Sequence, residues 1–172
     1  MTAPATNPFW RFSLRVYRAA GVQQACLALQ EQCQADVNLL LFCGWVGSKG
    51  RVLDGTELRS ALVRVGVWQS EVIAPLRAAR RALKQQVIDA PSATVALPLR
   101  NRLATLELDL ERIEQDTLAE IAAQWPKAAQ RLPRRHAIAD NLDSYFAMLG
   151  RAIGPQEAAH LACITHACSP RP

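Results

Sequence analysis

The sequence has few of the features that mark an enzyme. It contains no G-x-S-x-G, no P-loop, no G-x-G-x-x-G and no C-x-x-C. The local signatures of serine hydrolases, nucleotide-binding loops, dinucleotide-binding folds and thioredoxin-like redox sites are therefore missing. We predict no catalytic residue and no cofactor, and we leave open whether the protein is an enzyme.

Long apolar runs are missing too. The most apolar stretch, residues 36–47, is far shorter than the ~20 residues that a membrane span needs. The N-terminus lacks the basic and apolar regions of a secretory signal. The five cysteines are an odd number and lie mostly at apolar positions, which is typical of reduced thiols. We therefore expect a cytoplasmic protein with no membrane span.

Aromatic residues are scarce at 6%, and β-branched residues are scattered. Leu, Ala, Arg, Gln and Glu dominate, and these residues favour helices. We predict a flexible tail at residues 1–6 and a single all-α domain at 7–172, a compact bundle of six to eight helices. The helices are predicted at residues 8–20, 22–34, 37–47, 54–66, 69–87, 97–124, 138–149 and 155–167.

The bundle is predicted to form around residues 36–47. Asp36 is a suitable N-cap, and the run is apolar on every side, as in a helix that is surrounded on every side. A buried strand is the rival interpretation. Asn38 is the polar exception; it either satisfies nearby backbone groups or contacts a ligand in a pocket beside Asn38 and Trp45.

Residues 69–124 are predicted to form a long antiparallel helical hairpin, with a turn at Asp89–Thr94. The second helix carries leucine, isoleucine and threonine at alternating spacings of four and three, which predicts an apolar seam against the first helix. The seam consists of Leu99, Leu103, Leu106, Leu110, Ile113, Thr117 and Ile121.

Charged residues flank both helices of this hairpin. The first helix carries four basic residues on one face, Arg77, Arg80, Arg81 and Lys84. This basic quartet could hold a phosphate, nucleic acid or an acidic partner. The alternative is that it pairs with glutamates of the second helix, because the same flanks of antiparallel helices meet. The register then predicts three structural ion pairs, Arg77–Glu114, Arg80–Glu111 and Lys84–Glu107.

Other arginines are left for an external partner. We predict a basic binding surface that combines the face of the first helix with one residue of the hairpin and an exposed loop. Its members are Arg11, Arg15, Arg18, Arg81, Arg134 and Arg135. A protein or another anionic molecule would be the partner; nucleic acid is an open alternative without specific support.

One cluster of soft metal ligands lies near the C-terminus. His160, Cys163 and His166 fall on one side of the last predicted helix, and two of them could contact one zinc ion. The alternative is a terminal helix with packed cysteines and surface histidines. The glutamates of the long helix lack the Glu-x-x-His pairs of carboxylate-bridged metal helices.

Three segments resemble a family of uncharacterised proteobacterial proteins, a domain of unknown function. They are Gly21–Gln30, the D-V-N-L-L-L-x3-W pattern of 36–45, and the P-L-R-x2-R-R-x-L-K pattern of 75–84. The resemblance extends over roughly residues 7–120. It implies a bacterial origin and brings no activity or catalytic residue.

These observations lead to three hypotheses. The first is a non-catalytic binding or adaptor protein that uses the basic surface. The second is a small helical enzyme or ligand carrier with a pocket near Asn38 and Trp45. The third is a metal-binding protein that uses the C-terminal cluster.

Overall fold

The computed structural model describes residues 7–86, 93–126 and 131–169, and these ranges contain eight α-helices. The predicted all-α class is confirmed. The tail at residues 1–6 lies outside the described residues, as does most of the predicted hairpin turn. The helices are α1 (Pro8–Tyr17), α2 (Val22–Cys33), α3 (Val37–Gly47), α4 (Gly55–Trp68), α5 (Ala74–Gln86), α6 (Ala93–Gln124), α7 (Arg134–Met148) and α8 (Pro155–Cys168).

Helix α3 forms the centre of the fold, as predicted, and the rival strand interpretation is wrong. It packs against α1, α2, α6, α7 and α8. Ten of its eleven residues are buried. Asp36 caps it by accepting a hydrogen bond from the Asn38 backbone N–H. A helix with neighbours on every side has no solvent face to make polar, which explains its uniform composition.

Aromatic side chains join α3 to its neighbours. Phe9 of α1 stacks on Trp45 at 5.1 Å between ring centroids and meets Phe42 edge-on at 5.6 Å. Trp125, just after α6, meets Phe42 edge-on at 5.9 Å between ring centroids. The few aromatic residues of this chain are therefore concentrated around its central helix.

The helices α4 and α5 form one continuous run, where we predicted a break at Gly66. A π-helical turn at Gln69–Ile73 joins them, and the Ala74 N–H donates to the Gln69 carbonyl. Pro75 follows directly. It has no N–H, and its ring would clash with the carbonyl four residues earlier in a regular α-helix. The wider π turn accommodates the proline without ending the helix.

Two other boundaries differ from the predictions. Helix α6 begins at Ala93 and contains Pro98, although we predicted its start near Leu97. Helix α7 begins at Arg134, so Arg134 and Arg135 lie in its first turn and not in a loop. No helix within 7–86, 93–126 and 131–169 is long and apolar enough to span a membrane.

Asn141 fastens α7 to the end of α3. It is fully buried. Its Oδ1 accepts from the Leu53 N–H at 2.7 Å, and its Nδ2 donates to the carbonyls of Cys43 and Arg51 at 3.2 and 3.0 Å. Replacing it with leucine removes all three hydrogen bonds and leaves the Leu53 N–H without its buried acceptor.

We expect Asn141→Leu to lower the free energy of unfolding by about 2–3 kcal/mol, the cost of buried unpaired polar groups. Urea unfolding followed by circular dichroism measures this loss. Asn101→Leu, at an exposed position of α6, is the matched control and should change stability by less than about 0.5 kcal/mol. Equal stabilities of the two variants would contradict the role of Asn141.

Candidate functional site: a cavity beside the central helix

A cavity of about 660 Å³ lies between α1, α2, the start of α3 and the α5–α6 hairpin. Volumes of about 300–1,000 Å³ are typical of small-molecule sites. Its lining divides into three parts: an apolar wall, a cationic side and a polar floor.

The apolar wall comes from α1, α2, α3 and α6. Each of these helices contributes aromatic or aliphatic side chains to the lining. The wall consists of Trp10, Leu14, Tyr17, Leu27, Val37, Leu41 and Leu108.

The cationic side comes from α5 and the start of α6. Five basic side chains lie there, namely Arg77, Arg80, Arg81, Lys84 and Arg100. Three carboxylates, Glu31, Glu107 and Glu111, accompany them in the lining. The cavity therefore carries a net positive charge.

Two of these cations are neutralised within the protein. Glu107 accepts from Arg77 Nε at 2.7 Å and from Arg80 Nε at 2.6 Å. Arg77 also donates to Glu111 at 2.6 Å. Burial alone would raise the pKa of Glu107, but the hydrogen bonds from Arg80 and Arg77 outweigh it and lower the pKa. Glu107 is thus a carboxylate held between two guanidinium groups.

The floor consists of the side chains of Ser13, Asn38 and Gln115, and a hydrogen bond joins Asn38 to Glu114. Gln115 Nε2 donates to Asn38 Oδ1 at 2.7 Å, and Asn38 Nδ2 donates to Glu114 Oε2 at 2.9 Å. All three side chains are buried. In the described part of the chain, Gln115 Oε1 and Ser13 Oγ are buried without a hydrogen-bond partner. Both of these residues line the cavity.

Glu114 and Asp36 form a carboxyl pair beneath this floor. The two groups are within hydrogen-bonding reach of each other. Burial and then the Asp36 charge raise the pKa of Glu114 from 4.5 to about 10. Burial also raises the pKa of Asp36, and the hydrogen bonds from Glu114 and from the α3 backbone offset only part of that rise. Glu114, with its pKa at about 10, therefore holds the proton at neutral pH.

This assignment makes stability depend on pH. The pKa of Glu114 is higher in the folded state, so folding takes up a proton between about pH 4.5 and 10, and this group destabilises the fold as the pH rises. Glu114→Gln removes the ionisation, and its amide can still hydrogen-bond to Asn38 and Asp36. We expect the free energy of unfolding of this variant to rise by about 1.4 kcal/mol per pH unit relative to that of the unmodified protein.

Urea unfolding at pH 6, 7 and 8 tests this expectation. The difference in free energy of unfolding between the variant and the unmodified protein should be smallest at pH 6 and largest, in favour of the variant, at pH 8. Asp143→Asn, at an exposed position of α7, serves as the control with no such gain. Parallel stability curves for Glu114→Gln and the unmodified protein would show that Glu114 is ionised at pH 7.

The predicted ion pairs have the right helices but the wrong register. Arg77 pairs with Glu107 and Glu111, and Arg80 pairs with Glu107. Arg77–Glu114, Arg80–Glu111 and Lys84–Glu107 are not formed among the described residues. Glu114 instead reaches Asn38 at the start of α3.

The reason is that α6 is rotated relative to the prediction. Glu107, Glu114 and Gln115 are buried, whereas Leu99, Leu106 and Ile113 are 45%, 47% and 50% exposed. The predicted apolar seam is therefore wrong for its first, third and fifth members. The buried polar groups at the start of α3 require polar partners, and α6 supplies them with its glutamate face.

Of the two predicted pocket residues, Asn38 lines the cavity. Trp45 lies seven residues further along α3 than Asn38 and is 8% exposed. It stacks on Phe9, and Lys49 Nζ lies 3.2 Å from its ring centroid. Trp45 is a core residue at this position.

The six arginines of the predicted basic surface are all exposed, but their contacts lie in different parts of the fold. Arg15 donates to the Ala167 carbonyl at the end of α8. Arg81 lines the cavity, and Arg135 lines a groove between α7 and α8. Arg11, Arg18 and Arg134 complete the set, and a shared contact surface stays a prediction.

The C-terminal histidines and cysteines do not converge. In the ranges that the structure covers, no group of three metal-ligating side chains forms a metal site. Cys163 Sγ contacts the Ala20 carbonyl at 3.8 Å, His166 is exposed, and His160 is partly exposed. Cys163 faces the α1–α2 connection, because α8 packs on α2.

Sequence reasoning missed Ser13, Arg100 and Gln115 as cavity residues. A signal for Gln115 was available: Glu107, Glu111, Glu114 and Gln115 share one face of α6 by their spacing. The assumption that the leucine face was the buried one concealed it. Ser13 and Arg100 carried no comparable pattern.

Comparison with protein families matched residues 8–118 to the family described as protein of unknown function DUF2390. Comparison with the curated proteins and with the solved structures gave no match. The matched segment contains α1 to α5 and most of α6, including the lining of the cavity. Because it spans well over half of the 172 residues, the chain belongs to the DUF2390 family.

Proposed function

We propose that this protein is a non-catalytic binding protein for a small anionic ligand with an apolar part. The observation that carries this proposal is the division of the cavity into an apolar wall, a cationic side and an amide floor. This proposal develops the second sequence hypothesis, a ligand carrier with a pocket beside Asn38.

The apolar part of the ligand would lie against the wall formed by α1 and α2. Trp10 and Leu14 come from α1, and Leu27 faces them from α2. Leu27 is a large apolar side chain left 40% exposed. A bound aromatic or branched aliphatic group would remove this surface from water at roughly 25 cal/mol per Å².

The anionic part would lie at the cationic side. Arg77 and Arg80 are occupied by Glu107 and Glu111. Arg81, Lys84 and Arg100 make no salt bridge with any residue that the structure describes, and they line the same cavity. Carboxylates and phosphates accept charge-assisted hydrogen bonds from such groups. A carboxylate or phosphate is therefore the expected head group.

The floor would select for polar groups on the ligand. Gln115 Oε1 accepts hydrogen bonds, and Ser13 Oγ both donates and accepts. Buried groups of this kind cost about 1–3 kcal/mol when unpaired. A ligand with a hydrogen-bond donor beside its apolar part would satisfy them.

Binding without chemistry is favoured by the composition of the lining. Among the described residues, no histidine and no cysteine lines the cavity. Nucleophilic catalysis commonly requires a nucleophile beside a base. Ser13 has no such base as a hydrogen-bond partner.

Nuclear magnetic resonance titration tests the proposal at the residue level. We expect benzyl phosphate and phenylacetate to shift the Trp10 indole signal and the side-chain amide signals of Asn38 and Gln115. Phenethylamine, a cation of similar shape, should not. Inorganic phosphate separates head-group binding from binding of the whole amphipathic molecule.

Charge-removal variants sharpen this test. Arg81→Ala combined with Lys84→Ala should weaken benzyl phosphate binding at least tenfold. Arg59→Ala, exposed on α4, is the matched control and should bind as the unmodified protein does. Equal binding by all variants, or equal binding of phenethylamine, would overturn the proposal.

A further inference from the structure

Helix α6 presents an apolar stripe on the side away from the cavity. The stripe consists of Leu99, Leu106 and Ile113, each about half exposed. Residues seven apart drift by only ~20° around a helix, so the three side chains form one line. Leu108, two residues after Leu106, lies about 160° away around the helix, taking 100° per residue, and lines the cavity.

The stripe has a charged flank. Arg102 and Asp109 are exposed, and both lie on the same side of the stripe, at about 40° and 60° from Leu106. Neither forms a salt bridge with a residue in the described ranges. The opposite flank, Leu103 and Leu110, is partly buried and faces the rest of the fold.

The pattern is symmetrical about Leu106. Leu99 precedes it by seven residues and Ile113 follows it by seven. In an antiparallel pair of identical helices with a two-fold axis at Leu106, Leu99 of one copy would meet Ile113 of the other. Such an isologous contact requires a self-complementary surface, and these three positions provide one.

The charges fit the same register. With a rise of 1.5 Å per residue, Arg102 lies about 6 Å before Leu106 and Asp109 about 4.5 Å after it. The two-fold axis brings matching flanks together, so Arg102 of each copy would lie within about 1.5 Å along the axis of Asp109 in the other. A shift of a full turn would lose both the apolar and the charged matches.

We infer that two copies of this chain associate through the stripe of α6 in an antiparallel dimer. The occupant of the exposed apolar face is a second copy, because the spacing of the apolar side chains and the positions of the two charges both match those of an antiparallel copy. The cavity faces the other way and stays open in such a dimer. The inference is therefore independent of the proposed ligand.

Charge-reversal variants give a specific test. Light scattering after size exclusion should show the unmodified protein at twice 18.9 kDa. Arg102→Asp alone creates two Asp–Asp contacts, and Asp109→Arg alone creates two Arg–Arg contacts; each should weaken the dimer at least tenfold. Mixing the two variants pairs aspartates with arginines at both contacts, so the mixture should form a heterodimer.

Cysteine cross-linking gives a second, independent measurement. On the two-fold axis, Leu106→Cys should form a covalent dimer under mild oxidation, whereas Leu108→Cys, on the cavity side of the same helix, should not. Asp143→Arg on α7 controls for a general effect of charge reversal. The inference would be overturned if the unmodified protein were monomeric or if the single charge variants remained dimeric. It would also be overturned if the mixture of the two variants stayed monomeric, or if the two cysteine variants cross-linked equally.

Discussion

Gly47→Ala is expected to lower the free energy of unfolding by about 3 kcal/mol, as expected for overpacking against a rigid neighbour. A Cβ at Gly47 would lie 2.6 Å from both Cα and N of Ile138 and 2.9 Å from the Ala137 carbonyl carbon. All three are backbone atoms, so no side-chain rotation relieves the clash. The end of α3 and the start of α7 would have to separate at the centre of the fold.

A second glycine provides the matched control. A Cβ at Gly66 would meet nothing within 4 Å, and Gly66 lies inside α4. Gly66→Ala should therefore raise stability by up to about 1 kcal/mol through helix propensity. Thermal and urea unfolding of both variants should give shifts of opposite sign. Shifts of the same sign and size would contradict the close approach of α3 and α7.

Glu107→Ala is expected to lower the free energy of unfolding by a similar amount, about 3 kcal/mol. The substitution leaves the guanidinium groups of Arg77 and Arg80 without their shared carboxylate, and breaking a buried ion pair typically costs about 3–5 kcal/mol. Arg80 is 27% exposed, which places the estimate at the low end of that range. Helix α5 has no fully buried side chain at its described positions, so this network is a principal attachment to α6.

The loss should be concentrated in α5. Hydrogen exchange should accelerate at the backbone amides of residues 76–85 more than at those of α3. Lys84→Ala is the discriminating control, because the sequence-based register pairs Lys84 with Glu107 and the structure does not. We expect it to change stability by less than about 0.5 kcal/mol. A larger loss for Lys84→Ala than for Glu107→Ala would favour the sequence-based register.

Local signals in the sequence were sufficient for much of the fold. Asp36 before an apolar run predicted the start of α3, and the helix start predicted at residue 54 lies at the capping box of Asp54 and Glu57. Such signals act within one helical turn, so the sequence alone contains them. The predicted end of α6 at residue 124 likewise agrees with the structure.

Predictions of contacts between two segments of the chain were only partly correct. The pairing of α5 cations with α6 glutamates was predicted, but its register was not. A spacing pattern states which residues share a helix face and does not state which face is buried. On α6 both the leucine face and the glutamate face are continuous, and the buried polar cap of α3 decided between them.

The sequence by itself determined the helical class, the central helix and most helix boundaries. Only the tertiary structure decided the rotation of α6, the raised pKa of Glu114 beside Asp36, and the joining of α4 to α5 across Gly66. Each of these depends on burial and on partners far away in the chain. Desolvation and long-range hydrogen bonds are properties of the packed molecule, and no local pattern of residues specifies them.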